Sequence, residues 1–72
     1  MNVTYAQTVA ATVRAEMARA NVKQAELANV LGISQAALSR KTSARVPFRL
    51  DELQAAAHHL GIAVEVLTNS KS

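Results

Sequence analysis

The stretch QAELANVLGISQAALSRK, residues 24–41, carries the pattern on which the fold turns. Leu27, Ala28 and Leu31 fall on one face of a helix over about 23–31, since residues three and four apart stack on the same side. Gly32 ends that helix in the way a glycine just past a helix terminus does. Ile33 is a lone apolar residue in the connection, placed to plug the core beneath the turn. Ser34 is a good N-cap for the next helix, from Gln35 to about Thr42. Leu38 anchors this second helix from its buried side, and small Ala28 lets the two axes approach closely. So short a connection forces the helices to cross steeply.

Outward from this pair, the chain reads as further helices. Ala6, Val9, Ala10, Val13, Met17 and Ala20 form an apolar stripe over residues 4–20, with Gln7, Arg14, Glu16 and Arg19 largely off it. Thr4 suits its N-cap, and Asn21 suits a left-handed end. Residues 43–49, SARVPFR, read as a loop, because Pro47 holds Val46 extended. Leu50, Leu53, Ala57 and Leu60 recur at helical spacing over about 50–60, Gly61 terminates that run, and Asp51 and Glu52 favour its N-terminus. A short fifth helix is expected within 62–67, poorly capped at Ala63, and residues 68–72 read as a frayed tail. The expectation is an all-α fold of five helices in a single domain, residues 1–72, with the helix pair at about 24–43.

Composition agrees. Alanine supplies much of the apolar half of the chain and only Tyr5 and Phe48 are aromatic, which favours close-packed short helices over sheet. Without cysteine, no disulfide or thiolate metal site can staple the core. Eight basic against five acidic residues give a net charge of +3, and the distribution matters more than the sum. No Asp or Glu lies between Glu26 and Asp51, a window that holds Arg40, Lys41, Arg45 and Arg49. That window is either a solvated basic loop or the footprint of an anionic partner. No apolar run approaches the ~20 residues that cross a bilayer, and no secretory leader is recognisable, so a cytoplasmic protein is expected.

The exposed side of the second motif helix presents Gln35, Ala36, Ser39 and Arg40. A short, rigidly held helix with a polar outer face fits the DNA major groove and can touch base edges there. The sequence here resembles the lambda-repressor-like helix-turn-helix family, the Xre or Cro type. The likeness extends to the preceding helix, the basic loop, LDELQAAAHHLGI at 50–62 and VEVL at 64–67. The run AALSRK at 36–41 followed by Arg45, Pro47 and Phe48 is similar to short regulators of actinobacteria and their phages. The resemblance implies a five-helix transcriptional regulator, with Gln24 on a phosphate and Gln35 reading a base edge. It departs at two places. Position 41, usually apolar in this family, is Lys41, which either buries its stem and frees its amine for phosphate or marks an early helix end. Ser43 and Ala44 stand where glycine is more usual after the recognition helix.

Residue roles follow as expectations. Gln35 suits adenine, where it donates and accepts at once, though a first-turn glutamine is also often merely solvated. Arg40 suits a guanine or a phosphate. Ala36 either meets a thymine methyl or simply permits close approach. Ser39 suits phosphate or base; Ser34 does too, or is only a cap. Lys23 and Gln24, at a helix N-terminus, suit phosphate, as do Arg45 and Arg49. Val64, Val66 and Leu67 suit either a small symmetric dimer contact or completion of the core. His58 and His59 point about 100° apart on a helix and do not share a ligand face, so no metal is expected. No nucleophile constellation, phosphate loop or convincing carboxylate pair is present, so neither an enzyme, a cofactor nor a small-molecule ligand is expected. The expected partner is a double-stranded DNA operator, bound by a homodimer on two half-sites. The expected role is that of a repressor, Cro-like or an immunity regulator. An antitoxin repressing its own operon, or a protein-interaction module built on the same helices, are the alternatives.

Overall fold

The computed structural model describes residues 4–68, and these form five α-helices and no strand. They are α1 (Tyr5–Ala20), α2 (Gln24–Leu31), α3 (Gln35–Thr42), α4 (Leu50–Leu60) and α5 (Val64–Thr68). Thr4 caps α1 in full: its hydroxyl accepts from the Gln7 backbone N–H, and the Gln7 side chain accepts from the Thr4 N–H. Ser34 caps α3 by accepting from the Ala37 N–H at 3.0 Å. Of the expected tail, Thr68 still belongs to α5 and its carbonyl accepts from the Tyr5 hydroxyl at 2.6 Å, whereas 69–72 lie outside the described residues.

The first four helices end by one device. A left-handed residue returns its N–H to the carbonyl three residues back, and the next residue returns its own to the carbonyl five residues back. Asn21, Gly32, Ala44 and Gly61 take the left-handed position, at φ values of 57°, 70°, 66° and 73°. At Gly32 a Cβ would meet nothing within 4 Å, so the backbone torsion and not crowding asks for glycine there.

The helices close around one apolar cluster. Val9, Val13 and Met17 of α1, Leu27 and Ala28 of α2, Leu38 of α3, Leu53, Ala56, Ala57 and Leu60 of α4, and Leu67 of α5 are all buried in it. Leu31 and Ile33 pack partly buried against this cluster, so the motif turn is seated from below as its pattern predicts. Two expectations need correction. Leu50 does not belong to the buried stripe of α4: it is the first residue of that helix and 62% exposed, and Ala56 completes the stripe instead. Leu67 is 1% exposed, so it finishes the protein's own core and offers nothing to a second copy. Val64 also packs against the core, which leaves Val66 exposed.

Candidate nucleic-acid interface

On α3, burial divides the helix along its length. Leu38, Lys41 and Thr42 face inward, while Gln35, Ala36, Ser39, Arg40 and Ser43 are exposed. All four residues expected to read bases therefore lie on the uncovered face. That face holds no apolar side chain larger than alanine, which is what close approach to a polar surface requires.

The C-terminal end of α3 is where the cations gather. The Arg40 carbonyl accepts from the Arg45 N–H at 2.9 Å, from the Val46 N–H at 3.2 Å and from the Ser43 hydroxyl at 3.2 Å. The loop is thereby folded back so that Arg45 stands beside Arg40. In the other three helix ends the same two positions are apolar or small: Val22 over Met17, Ile33 over Ala28, Ile62 over Ala57. A hydrophobic contact normally accompanies this motif. At α3 two arginines replace it, and among the described residues no carboxylate lies within ion-pair distance of either.

The start of α2 lies against the end of α3. Gln24 Nε2 donates to Thr42 Oγ1 at 3.4 Å, a long bond that leaves the exposed amide free to take another partner. Lys23 is the exposed N-cap of α2 and provides no side-chain cap bond, so the first N–H groups of this helix keep no capping partner. Ser34 is exposed, and its hydroxyl proton remains to donate while its oxygen serves the cap. Arg49 is exposed but already meets Asp51, at 3.2 Å through Nε and 3.3 Å through Nη2. Such an exposed pair is worth little and yields readily to a stronger anion.

Lys41 is the correction among the expected phosphate contacts. Its amine points inward, 3.0 Å from Glu52 Oε1, and donates to the Pro47 carbonyl at 3.3 Å. The helix does not end early; it runs through Lys41 to Thr42. Three further residues shape the site and carry no warning in the pattern of apolar positions. Arg14 of α1 donates to the Thr42 carbonyl and so fixes the end of α3 from behind. A cation there also meets the negative end of the helix dipole. Thr42 is buried and links that contact to Gln24. Glu52 accepts from the Arg49 N–H at 2.8 Å as well as pairing with Lys41. Its place three residues after Arg49 is a legible capping signal; the partners of Arg14 and Thr42 are backbone and tertiary, and leave no trace in spacing.

Elsewhere, His59 Nε2 lies 2.5 Å from Glu26 Oε2 and ties α4 to α2, away from His58. Among the described residues no helix is long and apolar enough to cross a membrane. In comparison with known proteins, the model of a family described as a helix-turn-helix domain matches residues 8–69. No curated protein and no solved structure matches the chain. The match runs from the first turns of α1 to just past α5 and takes in the α2–turn–α3 unit whole, so the chain belongs to this helix-turn-helix domain family.

Proposed function

We propose that this protein is a sequence-specific regulator of the lambda-repressor-like, Cro type, which docks α3 in the major groove of a DNA operator and acts as a repressor in the cytoplasm. Family membership supports DNA binding and a regulatory role. The observation that carries the reading is the end of α3. A helix cap that elsewhere in this protein joins small or apolar residues here joins the backbones of Arg40 and Arg45, both exposed and without a carboxylate partner among the described residues. Like charges held together disfavour the free protein and are relieved by an anion arriving between them. A phosphate beside a major groove already occupied by α3 fits that place.

The division of labour follows. Gln35, Ala36 and Ser39 face the base edges, with Gln35 matched to adenine. Arg40 stands where the base-reading face meets the loop and reaches guanine or phosphate. Arg45, Lys23 and Gln24 grip the backbone, joined by Ser34, and by Arg49 once Asp51 gives way. No step of this function needs a reacting group, a cofactor or a small ligand, and we read the protein as a binder and not an enzyme. The direct test is retention on duplex DNA across a salt series. Wild-type affinity is expected to fall steeply with salt, and Arg45→Glu to weaken binding to every sequence while flattening that dependence by about one to two phosphate equivalents. Salt-insensitive or absent retention would instead favour a module that binds protein.

A further inference from the structure

Resting on the DNA-binding reading above, we infer that the buried Lys41–Glu52 pair is a positioning device that sets the basic loop against the recognition helix, and that it governs DNA affinity without touching DNA. Lys41 sits on α3 and Glu52 on α4, and the loop 43–49 runs between them. Their side chains are 11% and 10% exposed, so neither is a surface group that drifted into contact. The pair does more than span two helices. Lys41 Nζ also holds the Pro47 carbonyl at 3.3 Å, and the same Glu52 Oε1 that meets Lys41 at 3.0 Å takes the Arg49 N–H at 2.8 Å. Both ends of the PFR segment are thus fixed to one ion pair, while Phe48 between them packs on the core. At the other end of the loop the Arg40 carbonyl fixes Arg45 and Val46. The loop is thus anchored at both of its ends, with Arg45 between the two anchors.

An apolar side chain at position 41 would fill the same space and satisfy the core. It would not hold the Pro47 carbonyl, nor hold Glu52 in place. A buried ion pair is poor evidence for stability, since desolvation offsets most of its attraction, so its value lies in the geometry it imposes. Ordering the loop before binding removes that entropy cost from the association step.

The test is the double variant Lys41→Met/Glu52→Gln. It leaves net charge unchanged, keeps a side chain of similar length at each position, and retains an oxygen at residue 52 for the Arg49 cap. Its melting temperature is expected to equal or exceed that of the wild type. Its affinity for duplex DNA is expected to fall about tenfold with the salt slope retained, the size of losing two or three pre-ordered contacts. Amide exchange at Arg45 and Val46 is expected to quicken in parallel. The single variant Glu52→Gln supplies a check of sign: loss of an acid strengthens binding by charge alone, whereas a positioning role weakens it. Unchanged affinity and exchange in the double variant overturn the inference. So does a salt slope reduced by about one with exchange unaltered, which makes Lys41 a phosphate ligand. Wild-type protein that fails to bind DNA at low salt sinks the function itself and the positioning role with it, and is distinguished because the variants then have nothing to lose.

Discussion

Ala44 shows what a single residue concedes to this fold. Its φ of 66° is the left-handed conformation, in which a Cβ crowds the following carbonyl at a cost of about 1 kcal/mol. The equivalent places after α2 and α4 hold glycine. Ala44→Gly is therefore expected to stabilise the protein by about 0.5–1 kcal/mol and raise its melting temperature by about 2–8 °C, measured by thermal unfolding. A lower melting temperature would contradict the assignment of strain. Gln35 is the opposite case, an exposed residue with no structural duty beyond the first turn of α3. Gln35→Ala should leave the melting curve within about 0.5 kcal/mol of wild type while costing about 1–3 kcal/mol of DNA binding at one base pair.

At the scale of elements, α3 is held by three kinds of contact: Leu38 in the core, the Ser34 cap at its start, and Arg14 with the loop at its end. Leu38 is fully buried, so Leu38→Ala should destabilise the fold by about 2–5 kcal/mol, read by denaturant unfolding. The end of α3 should show the reverse trade. Arg45→Val puts at this end the kind of residue that Val22, Ile33 and Ile62 supply at the sister ends, and is expected to keep or raise stability while DNA affinity falls at low salt; a loss of both together would mean that Arg45 serves the fold. Much of this was legible in the sequence. Leu27, Ala28, Leu31, Gly32 and Ser34 state their roles through spacing and cap chemistry, and Thr4, Asn21 and Gly61 do the same for the ends of α1 and α4. Leu50 misled because a first-turn residue lies at the edge of the helical stripe, where periodicity places it inside and the entering chain leaves it out. Lys41 misled because residue type alone says that a lysine seeks water or phosphate. Its burial depends on Glu52 eleven residues on, a partner that only the tertiary fold brings within reach.

Across the whole molecule most acids are paired with bases, and Arg40 and Arg45 are left without a carboxylate among the described residues. Arg40 and Arg45 lie in a window free of carboxylates, while Glu16, Glu26 and Asp51 are drawn into contacts with Arg19, His59 and Arg49. One such domain covers a short stretch of duplex, and paired half-sites about 34 Å apart are the usual route to useful affinity. Of the three residues expected at a dimer contact only Val66 is exposed, at 43%, so any pairing between copies rests on a small surface. Sedimentation is accordingly expected to find a monomer in the absence of DNA, with Val66→Asp reducing cooperative occupation of a two-half-site operator and sparing a single half-site; equal cooperativity would remove Val66 from the contact. The proposed function rests on the outer face of α3 reading sequence. Selection of bound duplexes from a random pool, run in parallel on wild type and Gln35→Ala, tests it most directly. Wild type is expected to enrich a short motif, and the variant to lose preference at one position of it. An identical motif from both proteins, or no motif from the wild type, would contradict it.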